Sequence, residues 1–214
     1  FTGNRNGELL TGLADTLLKK GVASVRFDFN GHGESDGKLE EMTMLNELAD
    51  AKAILDYVRA LKNVRNIYLV GHSQGGVVAS MIAGYYPEFF KKVVLMAPAA
   101  TLKDDAIKGE CQGTSYDPVR IPDEIIVNGN TISGFYFRIA QTLPIYEVAS
   151  RYTGEVLMLH GDCDTIVDKI ASERYHAVYQ NGHLHIVKGG DHGFGPQMQQ
   201  EAIQAAADFI CTDK

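Results

Sequence analysis

The chain has 214 residues, 45% hydrophobic and 22% charged, enough for one folded domain with a sizeable core. A formal net charge of -7 without any basic run argues against a nucleic-acid partner, and no apolar run approaches the ~18 residues of a membrane span. Cys111, Cys163 and Cys211 are odd in number and lack zinc-like spacing, so free thiols and a cytoplasmic setting are expected rather than a disulfide framework.

The chain opens with Phe1-Thr2-Gly3-Asn4, which reads as a loop with no strand before it. Leu9, Leu10, Leu13, Leu17 and Leu18 then recur at helical spacing, and Gly21 after Lys19-Lys20 reads as the stop. Residues 22–28 are β-branched and mostly apolar, which predicts a strand, and residues 28–37 form a polar loop dense in glycine. Residues 44–61 predict a helix with Leu45, Leu48, Leu55, Val58 and Leu61 as its buried stripe.

Next comes Ile67-Tyr68-Leu69-Val70, a run suited to a strand buried on both faces. Residues 77–86 predict a helix that Pro87 stops. Between the two lies Gly71-His72-Ser73-Gln74-Gly75-Gly76, whose Gly-x-Ser-x-Gly spacing is that of a nucleophile elbow. Such a turn pushes the serine out on strained backbone. It calls for glycines two residues away, Gly71 and Gly75, and leaves the Gln74 N–H free at the positive end of the helix.

Residues 92–96 predict another strand, and the alternation of strand and helix implies a parallel sheet covered on both faces. The alternation pauses between residues 98 and 152. That interval predicts a short hairpin turning at Asn128-Gly129 and a partly helical stretch over 135–150 broken near Pro144. It reads as an insertion over the carboxyl edge of the sheet, where ligands bind in open α/β folds. A strand at 155–159, a helix at about 170–179, a strand at 184–187 and a final helix at about 198–210 follow.

A serine hydroxyl needs a base within hydrogen-bond reach, and the base needs an orienting carboxylate. Of seven histidines, His192 alone sits in a loop after the last strand. His183 and His185 belong to or border that strand, and His160 precedes the candidate acid loop, which is the wrong order for a base. His32 and His72 flank motif glycines and read as pocket lining. For the acid, Asp162, Asp164 and Asp168 compete, and spacing alone leaves the first two even.

These motifs together resemble the α/β-hydrolase esterases: Asp28-x-x-Gly31-x-Gly33-x-Ser35, the elbow, Ala97-Pro98-Ala99, His160-Gly161-x-x-Asp164 and Asp191-His192. The nearer resemblance is to the bacterial cinnamoyl (feruloyl) esterases, carried by residues 26–33, 97–103, 134–136 and 143–147. It covers essentially the whole chain and implies one α/β-hydrolase domain over 1–214, with a lid insertion at about 98–152. It implies Ser73 as nucleophile, His192 as base and Asp164 as acid, with the N–H groups of Gln74 and Phe1 as oxyanion donors. Asp105, Gln112 and Tyr136 would meet the ring hydroxyl of a phenolic ester, and His72 would line the site.

The family carries His-Gly-Phe at the turn where this chain begins with Phe1, and a central strand ends there. The resemblance therefore implies that the first strands are missing from this chain. It implies a serine esterase acting on a small hydroxycinnamate ester without metal or cofactor. A general carboxylesterase or monoacylglycerol lipase is the alternative, and a non-catalytic hydrolase-fold binding module is a second. The oligomeric state is left open, a homodimer included.

Overall fold

The computed structural model describes residues 1–212. Helices α1 (Glu8–Lys19) and α2 (Met44–Ala60) precede strand β1 (Ile67–His72), helix α3 (Gln74–Tyr85) and strand β2 (Phe90–Met96). The segment after β2 then holds α4 (Leu102–Lys108), the short strands β3 (Glu110–Cys111) and β4 (Thr114–Ser115), the hairpin β5 (Glu124–Val127) and β6 (Asn130–Ser133), and helices α5 (Gly134–Ala140) and α6 (Ile145–Ala149). Strand β7 (Glu155–Gly161), α7 (Ile170–Val178), β8 (Gly182–Val187) and α8 (Gly195–Cys211) follow.

The main sheet is four-stranded in the order β1-β2-β7-β8, and every neighbouring pair is parallel. Its apolar runs serve two cores because successive side chains point to opposite faces. Val93, Leu95, Val156 and Met158 pack with α3 and with buried residues of 121–152, whereas Val94, Met96, Leu157 and Leu159 pack with the Leu9-Leu13-Leu17 stripe of α1 and Ala202, Ile203, Ala206 and Ile210 of α8. The chain thus has the α/β-hydrolase fold, a parallel sheet flanked by helices on both faces. Among the described residues, no helix is long and apolar enough to cross a membrane.

Two expectations are corrected here. Residues 22–28 are not a strand: they join no ladder, and Val25 is 48% exposed. A strand is made by a partner rather than by propensity, and among the described residues β1 bonds only to β2, so neither its open edge nor residues 22–28 have one. The segment is instead held at its end, where the Arg5 backbone N–H and guanidinium donate to the Asp28 carboxylate at 2.6 and 2.7 Å. The second correction concerns α2, which buries Met44, Glu47 and Leu55 while Leu45 and Leu61 face solvent. A carboxylate sits where the apolar stripe was expected, and its partners lie in the site below.

The β5–β6 hairpin follows its expected local chemistry. Asn128 and Gly129 take the positive φ angles, 49° and 81°, that a two-residue hairpin turn requires. Helix α6 docks on the helix behind Ser73: Gly84 of α3 lets the Val148 carbonyl of α6 so close that a Cβ there would stand 2.0 Å from its oxygen.

Candidate active site

Ser73 sits between β1 and α3 at φ 56° and ψ −126°, a conformation few residues other than glycine adopt. Three hydrogen bonds hold the strain. The Ser73 N–H donates to the Met96 carbonyl at 2.9 Å, while the Ser73 carbonyl accepts from the N–H groups of Gly76 and Ala99 at 2.9 and 3.0 Å. The motif glycines are not equivalent. A Cβ on Gly71 would stand 2.1 Å from the Gly75 carbonyl oxygen, but a Cβ on Gly75 would meet nothing within 4 Å. Gly76 supplies the second tight contact, with Pro98 2.9 Å from its would-be Cβ. Gln74 opens α3, so its N–H has no helical acceptor behind it and lies at the positive end of the helix.

The loop after β8 brings His192 to this turn. Its Nε2 lies 2.8 Å from Ser73 Oγ and its Nδ1 lies 2.8 Å from Asp164 Oδ2. Asp164 Oδ1 accepts from the N–H groups of Ile166 and Val167 at 2.8 and 2.9 Å. Burial works against the Asp164 anion, yet hydrogen bonds from His160, His192 and the Val167 N–H win and hold its carboxyl well below the usual range. Asp162 points elsewhere, accepting from the Gly189 N–H and the Cys163 thiol, and Asp168 accepts from the Ile170 N–H. Asp164 is thus the one of the three aspartates whose carboxylate meets His192.

Two histidines read as pocket lining do other work. His72 donates from Nε2 to the His192 backbone carbonyl at 2.8 Å and does not line the cleft beside Ser73. Burial pulls its pKa down to about 4, so it is neutral. His32 is buried in the glycine-dense loop, with Nδ1 3.1 Å from the Asn30 carbonyl, also away from the cleft.

A cleft opens at Ser73 and is lined by Phe1, Gln74, Asp105, Gln112 and Tyr136 among others. The Phe1 ring centroid lies 5.9 Å from that of Tyr136. Burial raises the Asp105 carboxyl pKa. The Gln112 side-chain oxygen accepts from Asn128 Nδ2 at 2.6 Å, which ties it to the hairpin turn. Tyr136 is almost entirely buried, and its hydroxyl donates to Gln74 Oε1 at 2.7 Å.

Sequence reasoning missed two residues at this site. His160, read only as out of order for a base, is a second donor to the acid: its Nε2 lies 3.3 Å from Asp164 Oδ2 and 3.0 Å from the Val167 carbonyl, while Nδ1 lies 2.7 Å from Ser172 Oγ. Glu47 is buried behind Gln74, and burial pushes its carboxyl up to about 7. The one signal for Glu47 was its place one helical turn after Met44 on a helix with an otherwise apolar face.

A serine hydroxyl bonded to a neutral imidazole, itself oriented by a carboxylate, can transfer its proton as it attacks an electrophilic carbon. A family model described as serine aminopeptidase, S33 matches residues 4–114. The structure superimposes with a TM-score of 0.96 on ferulic-acid-bound Est1E from Butyrivibrio proteoclasticus, at 34% identity over 99% of this chain and 85% of that one. The human serine hydrolase BPHL is 26% identical over 208 residues, covering 91% of this chain and 71% of BPHL. Mouse monoglyceride lipase is 32% identical over 104 residues, 42% of this chain and 34% of the lipase. The chain belongs to the matched serine aminopeptidase family, within the α/β-hydrolase superfamily of serine hydrolases.

Proposed function

We propose that this serine hydrolase cleaves hydroxycinnamate esters, feruloyl and p-coumaroyl, through an acyl-enzyme on Ser73. The observation that carries the reading is the unbroken hydrogen-bonded chain from Ser73 through His192 to Asp164 at the mouth of a cleft with polar groups deep in its wall. Ser73 Oγ attacks the ester carbonyl while His192 Nε2 takes its proton. The tetrahedral oxyanion meets the N–H groups of Gln74 and Phe1. The C–O bond to the alcohol breaks as His192 returns the proton to the leaving oxygen. A water, deprotonated by His192, then adds to the acyl carbonyl, and Ser73 leaves with the proton restored. Asp164 keeps the His192 Nδ1 proton pointing inward throughout.

Support for the acyl group comes from the cleft and from the Est1E likeness, since that structure holds ferulic acid. Asp105, Gln112 and Tyr136 supply the polar contacts for the ring hydroxyl. A second reading, a general carboxylesterase or monoacylglycerol lipase, draws on the monoglyceride lipase match. Ethyl ferulate against ethyl butyrate separates them: a preference for ferulate of at least tenfold in kcat/KM supports the first, and a preference for butyrate the second. A fluorophosphonate that fails to label Ser73 would favour a non-catalytic binding module.

A further inference from the structure

Glu47, Gln74 and Tyr136 come from three separate elements, α2, α3 and α5, and form one buried chain of hydrogen bonds beside the cleft. Gln74 Nε2 donates to both Glu47 carboxylate oxygens at 2.8 Å each, and Gln74 Oε1 accepts from the Tyr136 hydroxyl at 2.7 Å. Met42 Sδ, 3.6 Å from the same amide nitrogen, closes the remaining side. Glu47 does not line the cleft, whereas Gln74 and Tyr136 do.

The chemistry of these groups fixes the direction of every bond. Ionised Glu47 only accepts, so the Gln74 NH₂ must then face it and the Gln74 oxygen must face Tyr136. The Tyr136 proton is then committed to Gln74, and the phenolic oxygen keeps only lone pairs. Replacing the carboxylate with a group that can also donate frees the Gln74 amide to turn over. Tyr136 would then face an NH₂ and could swing its proton toward the cleft.

We propose that Glu47 is a positioning residue that sets the polarity of the acyl cleft. Acting through Gln74, it makes Tyr136 a hydrogen-bond acceptor, so that the cleft selects an acyl group that donates a hydroxyl proton. The inference rests on the hydroxycinnamate reading for its ligand, but the hydrogen-bond direction stands on Glu47 and Gln74 alone.

The test compares native enzyme, Glu47→Gln and the reciprocal double variant Glu47→Gln with Gln74→Glu, all above about pH 8, where Glu47 is ionised. Each is counted by fluorophosphonate titration so that only folded, reactive enzyme enters the rates. The readout is the ratio of kcat/KM for ethyl p-coumarate to that for ethyl cinnamate. Glu47→Gln is expected to lower that ratio about three- to tenfold, the worth of one neutral hydrogen bond. The double variant restores an acceptor-only carboxylate facing Tyr136 and should recover the native ratio, which a merely structural loss would not do. An unchanged ratio in Glu47→Gln, or no recovery in the double variant, overturns the proposal. Should native enzyme itself ignore the hydroxyl, the hydroxycinnamate reading falls, and the Gln74 side-chain amide signals in an ¹⁵N-glutamine NMR spectrum decide Glu47 separately. Slow NH₂ exchange in native enzyme that is lost in Glu47→Gln supports the proposal, and identical exchange in both overturns it.

Discussion

His72 Nε2 donates to the backbone carbonyl of His192, residues 120 apart in sequence and 2.8 Å apart in space. The bond ties the end of the serine-bearing strand to the loop that carries the imidazole, and their rings lie 5.0 Å apart. Since burial holds His72 neutral, the tie does not change across the ordinary working range of pH. His72→Ala is therefore expected to lower kcat roughly ten- to a hundredfold through a misplaced His192, with KM moving less than about twofold. Steady-state kinetics at several pH values check this: the loss should be constant between pH 6 and 8, as should the shape of the profile.

The acid loop makes a sharper contrast. Asp164→Asn removes the acceptor for His192 Nδ1 and should cut kcat by about a thousandfold or more, because the imidazole loses its tautomer. Asp162→Asn leaves that bond alone and disturbs only the Gly189 N–H and Cys163 contacts, so activity should stay within about threefold. A crippled Asp162→Asn enzyme would reverse the choice of acid.

Stability should follow the same carboxylate. The Asp164 pKa is lower folded than its ordinary value of 3.8, so its stabilisation is fully present above about pH 4 and is lost progressively as the pH falls through the folded value. Native protein should therefore lose more of its Tm between pH 6 and pH 3 than Asp164→Asn does. Scanning calorimetry on the two across that range reads the difference directly.

The elbow glycines should separate by geometry rather than by motif. Gly71→Ala would drive a Cβ to 2.1 Å from a backbone oxygen that cannot move without unwinding α3, and should cost about 3 kcal/mol or more. Gly75→Ala has open space around it and sits in the first turn of α3, so its stability should be unchanged or raised by up to about 1 kcal/mol. Urea denaturation of both variants distinguishes the two outcomes.

Asp105 is the half-buried carboxyl of the cleft, with its pKa raised by burial. If it meets the ring hydroxyl, Asp105→Ala should shrink the preference for ferulate over cinnamate about fivefold and leave a short acetyl ester within about twofold. Equal losses on all three esters would place Asp105 in scaffolding instead.

What could be read from the sequence follows from how local the cause was. The apolar runs of β2 and β7, the Asn128-Gly129 turn and the break at Pro144 are set by neighbouring residues, and each element lies where expected. The pairing of residues 22–28 is not local: an apolar run signals a strand, but only an adjacent edge makes one. Likewise, the choice between Asp162 and Asp164 depends on which carboxylate the Ile166 and Val167 N–H groups turn toward the histidine. Glu47 was hard to read because Gln74, whose amide donates to both of its oxygens and makes its burial tolerable, comes from another helix.

Trapping the acyl-enzyme tests the central claim most directly. Native protein mixed rapidly with an activated ferulate ester, quenched in acid within its first turnovers and digested should carry a feruloyl group on the peptide containing Ser73. The adduct should be absent from Ser73→Ala, whose ferulate release should fall at least about a thousandfold. Turnover of the ferulate ester with the feruloyl group on another residue, or sustained turnover by Ser73→Ala, would contradict the account.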